Sequence, residues 1–181
     1  MKGFPRVRPR TRNSGFTLIE LIAVIGVLGV VAIASIPALG TVGDTRRRAL
    51  AAEIERQLLL ARAHAAASGR PAGVRFDAAS QTLTLVRILA PGAAPTEIPG
   101  VTGASDSGAV TPVASLFQGV AFGSLSTMPG GDSVVWFAPT GEPQVRTSAG
   151  ALVGVFTAAA TVTVTGGPTI TVHPLTGMIE R

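Results

Sequence analysis

One carboxylate, that of Glu20, lies five residues beyond Gly15 inside an apolar run, and no other charge follows it from Leu21 to Ile36. An ionised side chain at that depth in a membrane span is costly unless a cation neutralises it, so Glu20 marks a pairing site. A plain anchor would be better served by Leu. The other residues able to do chemistry are scattered. His64 lies in an Ala-rich stretch and His173 stands before Pro174, and neither accompanies a nucleophile motif. Asp106 and Asp132 lie in Gly-rich stretches, and two isolated acids fall short of the roughly six to eight oxygens that Ca²⁺ takes. Both histidines read as structural or exposed, both aspartates as solvated turns, and Trp136 as core or strand packing. The chain has no cysteine, which excludes disulfides and thiolate metal sites. No catalytic residue, metal ligand or cofactor follows from this pattern.

The net charge of +5 in 181 residues suggests a nucleic-acid partner until it is located. Lys2, Arg6, Arg8, Arg10 and Arg12 precede Gly15 with no acid among them; the remaining ten basic residues are matched by ten acids. The excess is a topology signal in a leader and not a partner surface. Beyond Pro71 only Arg75, Arg87, Arg146 and Arg181 face six acids, and Tyr is absent, so neither a basic track nor a stacking platform is indicated.

The elements that must position Glu20 follow from periodicity. Residues 1–15 form a basic leader. Phe16 to Leu39 is about long enough to cross a bilayer core of roughly 30 Å, with the N-terminus cytoplasmic and the rest outside. Pro37 should kink or loosen that helix. Residues 40–69 continue as an amphipathic helix, in which Asp44 either caps a new segment or sits in a continuous one. Leu50, Ile54 and Leu58 form its apolar stripe, and Ser68-Gly69-Arg70-Pro71 is a stop signal. Arg46, Arg47 and Arg48 read as a solvated face, with Arg47 and Arg48 kept as candidates for subunit contacts.

Residues 70–181 read as a β-rich domain. Strands are expected at Ala72 to Asp77, Thr82 to Leu89, Ser115 to Phe122, Ser133 to Phe137, Ala151 to Thr157, Ala160 to Thr165 and Thr169 to His173. Ala78-Ala79-Ser80-Gln81 and Gly166-Gly167-Pro168 are the turns of two hairpins, and residues 90–112 form a long loop. The fold class is α+β: a long N-terminal helix, its first half transmembrane, packed on a C-terminal antiparallel sheet.

Gly15-Phe16-Thr17-Leu18-Ile19-Glu20 after a short basic leader closely resembles the signal of type IV pilins and type II secretion pseudopilins. Ala61-Arg62-Ala63-His64-Ala65, Val135-Trp136-Phe137-Ala138-Pro139-Thr140-Gly141 and Ile170-Thr171-Val172 leading to Thr176-Gly177-Met178-Ile179 resemble the GspH/FimT group of minor pseudopilins and minor pilins. Met178 departs from that pattern, which has Arg after the terminal Gly. The resemblance implies a pilin-like fold and a prepilin peptidase that cuts between Gly15 and Phe16 and methylates the Phe16 amino group. It also implies that Glu20 pairs with the charged N-terminus of a neighbouring subunit. The implied protein is a structural subunit, not an enzyme, at or near the tip of a type II secretion pseudopilus. Its partners are other pseudopilins or pilins, the peptidase and an inner-membrane assembly platform, and its domain is periplasmic. The alternative is a minor pilin of a pilus or DNA-uptake machine, where DNA binding would need the clustered basic surface that the domain lacks. Two other readings of the first 39 residues compete: a secretory signal peptide cut after Ala32-Ile33-Ala34, and an unprocessed anchor.

Overall fold

The computed structural model describes residues 16–99, 110–123, 125 and 133–181; the side chains of residues 33–40 are outside the described set, as are the whole leader and Asp106 and Asp132. The chain divides into two compact units, residues 1–40 and 41–181. Helix α1 has helical backbone over Leu18–Ser68, through Pro37 and Asp44, so Asp44 is internal to a helix and opens no new one.

In the second unit α1 buries one face: Leu50, Ala51, Ile54, Leu58, Ala61 and Ala65 are each 0% exposed. Burying each Leu or Ile there contributes about 1.5–3 kcal/mol, and the three alanines let the sheet approach the helix axis. Gln57 is the buried polar residue of this face. Its amide donates to Glu53 Oε1 (2.8 Å) and to the buried Thr111 Oγ1 (3.0 Å). The helix stops as expected: Ser68 Oγ donates back to the His64 carbonyl at 2.7 Å, and Gly69 takes φ +65°.

The strands are β1 (Ala72–Asp77), β2 (Thr82–Arg87), β3 (Thr96–Glu97), β4 (Val110–Pro112), β5 (Val134–Phe137), β6 (Pro143–Arg146), β7 (Leu152–Val155), β8 (Ala160–Thr163), β9 (Thr169–Val172) and β10 (Ile179–Glu180). The larger sheet runs β3-β2-β1-β5-β6-β7 with β4 also pairing β2, and the smaller runs β10-β9-β8; the strand pairs are antiparallel throughout. Inward residues of both sheets, among them Val74, Leu85, Phe137, Val162 and Ile170, join the α1 stripe in one core. The helix therefore covers two sheets rather than one face of a single sheet.

Three expectations change. Ser115 to Phe122 is not a strand: Val113–Leu116 forms the one-turn helix α2, and Gly119 at φ +77° ends the turn that follows. Phe122 alone pairs, bridging to Val164. Its N–H donates to Gln81 Oε1 (3.0 Å) and its carbonyl accepts from Gln81 Nε2 (3.1 Å), which ties it to the β1–β2 turn. The loop of residues 90–112 contains β3 and β4. Pro143 opens β6, a strand that periodicity did not indicate; proline is tolerated as a first strand residue.

Trp136 is core packing, as expected, on the sheet face away from the helix, where it clusters with Val86, Ile88 and Val134. Gly73 stands opposite it in register. A Cβ at Gly73 would run into the Val135 carbonyl oxygen and lie 3.0 Å from Trp136 Cε3, so the bare strand gives the indole its seat.

Candidate functional site

The start of α1 is built from Thr17. Its Oγ1 accepts from the Glu20 N–H at 3.3 Å, and its carbonyl accepts from the N–H groups of Glu20 (3.1 Å) and Leu21 (3.2 Å). Thr17 is thus the N-cap, and Thr17-Leu18-Ile19-Glu20 has the spacing of a capping box. Glu20 is the acid of the first turn, where the helix dipole favours negative charge. The start of the helix therefore gives the Glu20 carboxylate a favourable local field in addition to any partner.

The residues around Glu20 are apolar and exposed. Phe16 is 81% exposed, Leu18 77% and Ile19 76%, and every residue from Phe16 to Ala32 is exposed. Among the described residues no helix is long and apolar enough to cross a membrane. The described side chains of this apolar stretch end at Ala32, so the expected span of residues 16–39 lies partly outside them. Gly15, the other half of the expected cleavage bond, also lies outside the described residues.

In the second unit the three motif segments of the resemblance converge on one side chain, Arg62. Its Nη2 donates to the Thr176 carbonyl at 3.0 Å and its Nη1 to the Gly177 carbonyl at 3.3 Å. Gly141, at φ +89°, lies against the same guanidinium, and a Cβ there would come within 2.9 Å of Arg62 Nε. Gly177, at φ +62°, packs so tightly on the β5–β6 turn that a Cβ would meet the Gly141 carbonyl oxygen. Arg62 thus clamps the β5–β6 turn and the β9–β10 turn to α1. Sequence reading placed these segments in a pattern without finding this contact; the Gly in each turn was the available signal.

The remaining candidates separate. Arg47 donates to Asp44 Oδ1 at 2.8 Å and packs on Gly166 and Gly167, so it already serves its own domain. Arg48 is exposed in the same groove of about 260 Å³, beside Asp44 and Pro168. Arg46 donates to the Gln118 carbonyl at 3.0 Å. His173 pairs with Glu180 at 2.9 Å, on the surface. His64 has a buried Nε2 without a hydrogen-bond partner among the described residues; burial, and then the nearby Arg87, hold its pKa below the usual imidazole value. Arg87 continues the inward alternation of Leu83 and Leu85, whereas Arg75 alternates with the inward Val74 and Phe76, so these cations lie on opposite faces of the sheet. Among the described residues no group of three or more His, Asp or Glu could hold a metal.

Residues 10–36 match the prokaryotic N-terminal methylation motif. No curated protein sequence matches the chain. Among solved structures the chain is similar to the minor pseudopilin EpsH of the type II secretion system of Vibrio cholerae. A crystal structure of that protein aligns with 76% of this chain and 93% of its own, at 16% identity and a TM-score of 0.51. A second structure of the same protein covers 75% of this chain and 94% of its own, at 16% identity and a TM-score of 0.48. At this identity the likeness is one of fold. The chain is a pilin-like α+β protein with an N-terminal methylation motif, as its sequence led one to expect.

Proposed function

We propose that this chain is a minor pseudopilin, a structural subunit at or near the tip of a type II secretion pseudopilus. A prepilin peptidase cuts between Gly15 and Phe16 and methylates the new amino group. The segment of residues 16–39 holds the subunit in the inner membrane, with the domain in the periplasm, and later packs among the helices of the filament. Glu20 then meets the charged N-terminus of a neighbouring subunit. That pair neutralises itself only after assembly, which sets subunit register. The observation that carries this reading is that every residue from Phe16 to Ala32 is exposed, while among the described residues of α1 the domain core draws on Leu50 and those that follow it. An apolar helix that its own domain does not use needs an environment supplied by lipid or by other helices. The methylation motif at residues 10–36 supports the processing step, and the EpsH-like fold agrees with a secretion role. A minor pilin of a pilus or DNA-uptake machine carries the same signal and is the reading that a failed secretion assay would leave.

Mass spectrometry of the mature chain tests the first step. An N-terminus at N-methylated Phe16 is expected; one at Ser35 would sink the proposal. The change Glu20→Ala tests the second. Cleavage after Gly15 should survive while incorporation into filaments is lost, and normal incorporation would contradict the pairing.

A further inference from the structure

Strand β7 ends the larger sheet, and no described strand pairs with its outer edge. The Phe156 N–H donates to the Pro143 carbonyl at 3.2 Å, so antiparallel alternation turns the N–H and C=O of Val155 to the open side. Natural edge strands are usually blunted by charge or proline. This edge has neither. Leu152 is 56% exposed, Val153 64% and Val155 44%. Beside β7 opens a cavity of about 460 Å³, walled by Ile88, Leu89, Pro91 and Leu152 together with Arg70 and Arg146. Arg146 is half-buried, and among the described residues its guanidinium reaches only neutral acceptors, Gln144 Oε1 (2.8 Å) and the Gly150 carbonyl (2.9 Å). Burial pulls its pKa down. Neither arginine has an ion pair, and no acid lines the cavity, among the described residues.

We propose that β7 and this cavity form a docking site for an extended, apolar segment of another polypeptide, which adds to β7 as a strand and sets a carboxylate against Arg70 and Arg146. Charge chooses the occupant. A second copy pairing through its own β7 would bring no acid, because residues 147–160 contain none. A bilayer would leave the open backbone of β7 unpaired.

The test uses the full chain in a zwitterionic lipid nanodisc. The probe is a labelled hexapeptide of alternating threonine and valine ending in leucine, with a free C-terminal carboxylate or as the amide. The carboxylate form should bind about tenfold more tightly than the amide, and Arg70→Gln should erase that difference. Val155→Pro removes an outward N–H without breaking a bond to β6, and should abolish binding of both peptides. In the unaltered chain the carboxylate peptide should slow hydrogen exchange at the Val155 amide. Equal affinity of the two peptides, or unchanged exchange at Val155, overturns the proposal. So does protection of Val155 by anionic vesicles alone, or by self-association that the peptide does not disturb.

Discussion

Between Leu50 and Ala65 α1 buries one apolar face, formed by Leu50, Ala51, Ile54, Leu58, Ala61 and Ala65, and leaves Leu59 exposed on another. Between Phe16 and Ala32 the apolar residues occupy every face and all are exposed. The backbone obeys one set of rules in both stretches, yet the first is completed by its own domain and the second is not. The difference lies in the side-chain pattern. Arg46, Arg47, Glu53, Glu55 and Arg56 leave the second unit's helix a single buried stripe, whereas Glu20 is the only charge from Phe16 to Ala32. A stripe specifies one intramolecular partner; an all-round apolar surface specifies a surrounding medium.

The largest effect that separates the two stretches is Leu58→Ala. It should cost the domain about 2–5 kcal/mol through lost burial and a cavity, whereas Val27→Ala should leave domain unfolding unchanged. Trp136, the single tryptophan, reports both in a denaturant titration. Equal losses would break the comparison. Next comes the clamp. Arg62→Ala should cost about 1–3 kcal/mol, because two charge-assisted hydrogen bonds disappear, and Gly141→Ala should cost a similar amount through its positive φ, about 1–3 kcal/mol. The double variant should fall short of the sum, since both changes open the same contact. At the other end of α1, Thr17→Val removes a cap worth about 1 kcal/mol. Amide exchange at Glu20 should quicken while the Trp136 unfolding curve stays where it was.

The smallest effect concerns acid. His64 resists protonation in the folded domain, first through burial and then through Arg87, so the unfolded chain binds that proton more readily. Its contribution is complete above the ordinary imidazole value of 6.5 and is lost as the pH falls towards the depressed folded value. Replacing His64 by Gln should flatten stability across that window. A slope that persists in His64→Gln would assign the acid sensitivity elsewhere. Glu53 is a second candidate at lower pH: burial opposes its charge, but hydrogen bonds from Arg56 and Gln57 prevail and lower its pKa.

Much of the fold is legible in the residues themselves. The helix stop at Gly69, the stripe of Leu50, Ile54 and Leu58, and the hairpin of β8 and β9 follow from local periodicity and turn chemistry, which act within a few residues. What escaped has a common cause. Strands β3 and β10 are two residues long, too short for alternation to register. Strand β6 begins with a residue that reads as a breaker, although Val145 between Gln144 and Arg146 keeps the alternation. Residues 115–122 have strand-like composition, but the Gln81 amide fastens the backbone of Phe122 from across the fold. At the candidate site, the roles proposed for Gly15, Phe16 and Glu20 rest on a local motif, the one matched over residues 10–36. The Arg62 contact could not be read, because nothing in a window around Arg62 points to Gly141 or Gly177.

The reach of that contact has a kinetic consequence. Arg62 and Gly177 are 115 positions apart along the chain. Joining them is expected to wait for the sheets between, so the clamp should close after the folding barrier, and Arg62→Ala should then speed unfolding while leaving the folding rate unchanged. An interaction made after the barrier leaves the folding rate alone and slows escape from the native state. The clamp therefore acts as a latch on lifetime: it governs how long a folded domain stays folded, independently of how quickly it was made.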